Sequence, residues 1–331
     1  MGFSGRNPGF VSVAASLVFA GAVHAQPGAD QVLTELGFSA DEKQRGLNRE
    51  FVTAKIGAVS DRDLSFAVAF LVKASPDQLS KWVVDGVLLA ADPQVKEYGK
   101  LSAPGSLTDF SGLSVTEAEA RALLAAEPGD GMNRSTGEHA SFKALRGAST
   151  AAIREHVQRM LLTRYQAYRT SGLTGIAPYD RGGGKVTDVA SDLTKASQVA
   201  TALKEHMPAL YRVLFDYPQA TLPGMQENFL WVKSVIRDKP THVLAHLFAA
   251  GDGDARAVVR REYYVSTGYN AEQSAAGFMP VTGGTIVLCM SHAFTDQVTG
   301  SGGSMKRSLG SRVMAGQMKE IFDRGRKSIE Q

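Results

Sequence analysis

The most regular hydrophobic patterning in the chain lies between Asn228 and Gln331, where four amphipathic segments in succession precede one long helical repeat. Alternation with period two marks a half-buried strand. Over residues 229–237 one face carries Phe229, Trp231 and Val235, and the other carries Leu230, Val232 and Ile236. Asp238-Lys239-Pro240 interrupts the run as a turn, because proline fixes φ and donates no hydrogen bond. The pattern resumes over 241–250, and Asp252-Gly253 gives a hairpin signal before 256–266, where Tyr263, Tyr264 and Val265 favour a strand. Gly283-Gly284 marks the turn into a fourth strand at 285–294. Such short connections predict antiparallel neighbours. The spacing then changes to that of a helix over 304–327, with Met305, Leu309, Val313 and Gly316 as the buried stripe and Met314, Met318, Ile321 and Phe322 along its edge. Gly310 and Gly316 each cost about 1 kcal/mol relative to alanine inside a helix. That cost predicts close approach of the sheet or of a ligand.

Earlier in the chain, residues 63–73 alternate well, with Leu64, Phe66, Val68 and Phe70 on one face. A weaker strand is predicted at 50–59, and short strands at 95–101 and 107–113. Ser75-Pro76 supplies an N-cap with proline at the first helical position, so 76–89 reads as a helix. Ser114-Val115-Thr116-Glu117 fits a capping box opening a helix to about residue 126. The strongest helical pattern spans 151–170, with Ile153, Val157, Met160, Leu161, Tyr165 and Tyr168 along one stripe. Further helices are predicted at 188–206 and 208–216. The middle of the chain is therefore helical and both flanks are mostly strand, which makes the fold class α+β: a curved antiparallel sheet against a long C-terminal helix, with a largely helical insertion.

Residues 1–25 have the form of a secretory signal peptide. Arg6 is the only charge in the n-region, an apolar run covers 11–23, and Val23-His24-Ala25 places small residues for cleavage after Ala25. The run is shorter than the roughly 20 residues a membrane span needs. Export to a bacterial periplasm is expected, with Gln26 as the mature N-terminus and no integral span after cleavage. The remaining chain divides into 26–113, a helical insertion or lid at 114–218, and 219–331. Net charge is +3 (36 basic less 33 acidic), or +2 without Arg6, which gives no electrostatic reason to expect a nucleic-acid partner. Cys289 is the only cysteine, so an internal disulfide is impossible; it reads as a small buried apolar residue.

Candidate chemistry is sparse. The loop 173–184 combines Tyr179, Asp180 and Arg181 with three following glycines, so that backbone could approach a ligand while side chains read its polar end. The structural alternative is a helix C-cap at Gly172 with Asp180 and Arg181 as an internal pair. His242 and His246 have a metal-ligand spacing for a helix, but in a strand they stand about 13 Å apart, so one zinc cannot take both. No metal site and no cofactor is indicated. Gly300-Ser-Gly-Gly-Ser304 lacks the lysine of a phosphate loop, and there is no Gly-x-Ser-x-Gly nucleophile motif. Arg260, Arg261 and Glu262 sit mid-strand. Alternation puts Arg260 and Glu262 on one face and Arg261 on the other with Tyr263 and Val265. One arginine therefore lies on whichever face is buried, and needs a carboxylate or a ligand.

The order of elements, an N-terminal strand pair, a helix after Ser75-Pro76, further strands and then a meander ending in a helix, resembles the START-like helix-grip superfamily of polyketide cyclases and lipid-transfer proteins. The resemblance covers roughly 50–113 and 228–327 and is one of element order; the helical stretch 114–217 departs from it. It implies a sheet gripping the last helix around an apolar cavity. Periplasmic binding or transfer of an apolar or amphipathic small molecule follows, with Arg261, Tyr263 and Tyr264 as cavity groups and Tyr179, Asp180 and Arg181 near the mouth. Two alternatives are a cyclase- or hydrolase-like enzyme on the same scaffold, using Asp180 or a histidine as base, and a structural envelope protein.

Overall fold

Ten strands and eleven helices are found among residues 28–330, the part of the chain that the computed structural model describes. The signal segment expected at 1–25 lies outside the described residues. Two short helices, α1 (Ala29–Glu35) and α2 (Ala40–Leu47), precede the first strand, the second opened by a Ser39/Glu42 capping box. Strand β1 is only Val52–Ala54, much shorter than the 50–59 pattern, and β2 spans Asp63–Val72. The helix expected at 76–89 is broken into α3 (Pro76–Val84) and α4 (Val87–Ala91) because Gly86 adopts φ +80°, where a side chain would be strained. After β3 (Val95–Lys100), the strand expected at 107–113 is a 3-10 turn at Leu107–Phe110.

The helical insertion comprises α5 (Glu117–Ala125), α6 (Thr136–Lys143), α7 (Thr150–Ser171), α8 (Val189–Gln198), α9 (Thr201–His206) and α10 (Pro208–Asp216). A two-stranded ribbon of β4 (Tyr179–Asp180) and β5 (Val186–Thr187) interrupts it. The capping box of α5 is Thr116 with Glu119, two residues beyond the serine that the motif suggested. Gly172 caps α7 with φ +58°.

The C-terminal meander has five strands rather than four: β6 (Gln226–Ile236), β7 (Lys239–Asp252), β8 (Ala255–Val265), β9 (Ala271–Val281) and β10 (Gly284–Phe294). Strand β9, Ala-Glu-Gln-Ser-Ala-Ala-Gly-Phe-Met-Pro-Val, has no β-branched residue before Val281 at its very end, so it lacks the composition that announces a strand. Its backbone is paired on both sides all the same, by β8 and by β10. The sheet order is β1-β2-β10-β9-β8-β7-β6-β3, antiparallel throughout, so the early strands flank the meander at both ends of a curved, unclosed sheet.

Both faces of the sheet are covered. Ala67, Ala69 and Leu71 of β2 join the core beneath the insertion, α1 and α2. Phe66, Val68, Phe70 and Val72 join a second core against α3, α4 and the long C-terminal helix α11 (Gly303–Ile329). Double coverage explains why every residue of β2 is buried. Cys289 lies in the second core, where burial and Glu272 push its thiol up to about 12, so it is a packing residue.

Helix α11 presents a different face from the one expected. Gly310, Met314, Ala315, Phe322 and Gly325 turn toward the protein, whereas Met305, Leu309 and Val313 are exposed. Gly310, Ala315 and Gly325 in this stripe are small where the helix lies closest to its neighbours. A Cβ on Gly310 would stand 2.9 Å from Leu64 Cδ2, and one on Gly325 would collide with the Trp82 ring. Gly316 has open space around it. Opposite outcomes follow in chemical denaturation: Gly316→Ala raises stability by about 1 kcal/mol through helix propensity, and Gly325→Ala lowers it by about 1–3 kcal/mol through overpacking. Equal shifts for the two variants would contradict this packing.

Candidate functional site

Strand pairing aligns Phe229, His246, Arg261, Gln273, His292 and Ser65 in one row across the face beneath the insertion. Arg261 is fully buried, as alternation required of one arginine. Its partners are neutral. Nε donates to Gln273 Oε1 (2.9 Å), Nη1 to the Tyr168 hydroxyl (3.3 Å), and Nη2 to Leu214 O (2.8 Å) and Ser197 Oγ (3.2 Å). Among the described residues no ion pair involves Arg261, so four neutral oxygen acceptors stand where a carboxylate or a ligand was expected. His246 Nδ1 lies 3.2 Å from the Tyr168 hydroxyl, and burial, reinforced by Arg261 and Arg169, holds its pKa well below the usual histidine value.

A β-bulge places both tyrosines of β8 on this same face. Ala245 opposes Glu262 while Leu244 opposes Tyr264, leaving Tyr263 as the extra residue. Tyr263 stacks on Tyr168 at 4.0 Å, and Val265 moves to the opposite face with Val232 and Val243. Simple alternation puts Val265 on the face of Arg261; the bulge moves it to the other, while Tyr263 and Tyr264 both stay with Arg261.

One turn earlier on α7, Arg164 makes a bidentate pair with Glu138 (2.7 and 2.5 Å) and lies 4.2 Å over the Tyr264 ring. Tyr179 is buried beside it; its hydroxyl donates to Asn270 O (3.0 Å) and accepts from Val265 N (3.2 Å), and burial pushes it up to about 12. Asp180 and Arg181 do not pair with each other. The Asp180 carboxylate accepts from Gly182 N and Thr136 Oγ1 (both 2.8 Å), which keeps it below its ordinary value. Arg181 pairs with Asp296 (3.0 Å) and donates to Asn270 Oδ1 (2.9 Å). Tyr179, Asp180, Arg181, Arg261, Tyr263 and Tyr264 thus form two polar centres joined through α7, which fasten the insertion to the sheet. None of the six lines either of the clefts described next.

On the other face, Arg260 pairs with Glu262, which also accepts from the Tyr269 hydroxyl, and Glu272 accepts from Ser291 Oγ at 2.8 Å. Burial and the neighbouring Glu262 push Glu272 up to about 7.

Two clefts stand out among the described residues. One, about 400 Å³, lies beside the β6–β7 turn and is lined by Glu119, Asp130, Met132, Lys239, His242 and Thr267 among others. His242 Nε2 is buried there and has no hydrogen-bond partner among the described residues, and burial, aided by Lys233, lowers the ring to about 4. His242 and His246 lie on one strand, as expected. The second cleft, about 290 Å³, is apolar. Its floor is Ala257, Gly277, Met279 and Leu288, where small side chains on β8 and β9 leave the space, and its roof is Val32 of α1 and Met207 after α9. At its mouth His206 Nε2 lies 2.7 Å from Glu35 Oε2, and Glu205 brings a third potential ligand atom within 4.8 Å of theirs. These residues escaped sequence reading because α1 has no cap motif and β9 no strand signature. The run of alanine and glycine at 275–277 was the available signal.

Comparison with protein-family models, with curated proteins and with solved structures finds no match to this chain.

Proposed function

We propose that the protein binds a small apolar or amphipathic molecule, held in the cleft between α1, α9 and the β8–β10 face. The observation that carries this reading is the combination of an apolar interior with a polar rim: Ala257, Met279 and Leu288 inside, His206 and Arg256 at the edge, with Glu35 hydrogen-bonded to His206. Such a site takes its affinity from apolar burial and its orientation from the few polar groups at one end. The volume of about 290 Å³ is near the lower bound of roughly 300–1,000 Å³ for small-molecule sites, which favours one short aliphatic chain or a single ring system over a two-chain lipid. Transfer between compartments, and a periplasmic setting, belong to the same reading and rest on the signal-like segment at 1–25.

The test is displacement of an environment-sensitive apolar fluorophore, combined with solvent extraction and mass spectrometry of the native protein. Ala257→Phe places a ring on the cleft floor and is expected to weaken fluorophore binding at least tenfold, while the circular dichroism spectrum is unchanged. Unaltered binding in that variant, or a thermal midpoint indifferent to a panel of fatty acids and aromatic compounds, counts against the cleft.

A further inference from the structure

The N-terminal half of α11 is apolar on two sides. One side packs inward through Gly310, Met314 and Ala315. On the other, Met305, Leu309 and Val313 are 77%, 62% and 52% exposed. At 3.6 residues per turn these three and Gly316 fall within an arc of about 80° directed away from the sheet. Single exposed apolar residues are ordinary; an aligned stripe of them marks a surface that something covers.

Charge identifies the occupant. From Gly303 to Lys319 the helix carries Lys306, Arg307, Arg312 and Lys319 and no acidic residue. Arg312 borders the stripe on the Met305 side and Lys306 on the Val313 side, each about 20° beyond it. Arg307 donates to Asp61 O (3.0 Å) and Lys319 pairs with Asp323 (2.5 Å), whereas Lys306 and Arg312 make no ion pair among the described residues. Asp296, the acid nearest the start of the helix in sequence, is already paired with Arg181. The helix N-terminus adds partial positive charge. A second copy of the chain docked antiparallel on this face would bring Lys306 and Arg312 toward their own equivalents, which is repulsive.

We propose that this face of α11 rests on the surface of an anionic lipid bilayer. Met305, Leu309 and Val313 enter the boundary between headgroups and acyl chains, and Lys306 and Arg312 lie against the lipid phosphates. No helix among the described residues is long and apolar enough to cross a membrane, so this contact is peripheral. Glu320 falls in the same angular sector as the stripe and ends it. The surface lies on the side of the sheet opposite the apolar cleft, so it stands whether or not that cleft holds a ligand.

Vesicle co-sedimentation of the full chain tests this, with phosphatidylcholine alone and with one third phosphatidylglycerol. Binding to the anionic vesicles is expected, with little to the neutral ones and a sharp loss in high salt. Leu309→Glu should reduce partitioning at least tenfold. The double variant Lys306→Ala/Arg312→Ala should reduce it about 25-fold, roughly fivefold for each cation. Both change exposed positions, so the thermal midpoint should hold. Binding retained in Leu309→Glu would assign adsorption to another segment, such as the apolar run at 11–23, and would overturn the proposal. So would an absence of binding to anionic vesicles, or a dimer in solution that Leu309→Glu dissociates, which would make a second copy the occupant.

Discussion

Replacing Arg261 with alanine is expected to lower the free energy of unfolding by about 3–5 kcal/mol. The guanidinium holds Gln273, Ser197, Tyr168 and the Leu214 carbonyl at once, so its removal takes one donor from each of β9, α7, α8 and α10 together, leaving Gln273 and Ser197 only each other and Tyr168 only His246 among these side chains. It also removes a large side chain from a fully buried position and so opens a cavity. In a chain of this size each kcal/mol shifts the melting temperature by roughly 2–4 °C, so the loss should be plain in a thermal scan. Arg261→Lys keeps the charge but not the planar fork, and should fall between the two. A loss below about 1 kcal/mol for the alanine variant would show that the four acceptors find other donors, and that the row across the sheet is not what fixes the insertion.

Glu138→Ala should be of similar size for a different reason. Arg164 is 6% exposed in its side chain, and Glu138 is its only ion-pair partner among the described residues. Removing one member of a buried pair leaves an uncompensated charge, at a cost of about 3–5 kcal/mol. The same glutamate accepts from Ser135 N at 2.7 Å in the capping box of α6, adding about 1 kcal/mol. Changing both partners to apolar residues, as in Glu138→Leu/Arg164→Met, should recover most of the first contribution, because two well-packed apolar side chains can replace such a pair at little net cost. Urea denaturation of the single and double variants measures the coupling directly. Additive losses would mean that the ion pair contributes little, and that the cation–aromatic contact with Tyr264 holds Arg164 in place.

How much of this was legible in the sequence depended on whether a residue's role was local. Helix α10 matches the 208–216 pattern, and α7, β2, β6, β7, β8 and β10 fall within a few residues of their patterns, because periodicity there agrees with the tertiary environment. Strand β9 was invisible because its partners, not its own side chains, make it a strand. The buried face of α11 was misread for a related reason. Both faces are apolar, and size rather than hydrophobicity decides between them: glycine at 310 and 325 admits Leu64 and Trp82, whereas Met305 and Leu309 would have held the helix away. Of the candidate site, the burial of an arginine at 260 or 261 followed from alternation, but its neutral partners came from α7, α8 and α10, more than 40 residues away in sequence for each of the helical contacts. The cleft was not legible, since a space is defined by residues that are small, on elements that only the fold brings together.

The two ends of the sheet bear on how this protein survives its own folding. Strands of 10 to 14 residues would be efficient templates for pairing with another unfolded copy if they lay at an edge. They do not. One edge is β1, three residues long; the other is β3, with Lys96 and Lys100 exposed and its register broken between Val95 and Glu97. Because both guards precede the meander in the chain, a nascent polypeptide already contains them before β6 emerges, and the long apolar strands are added between edges that discourage association. Truncations that remove the first hundred residues would therefore be expected to yield fibrous or amorphous aggregates rather than a smaller folded unit.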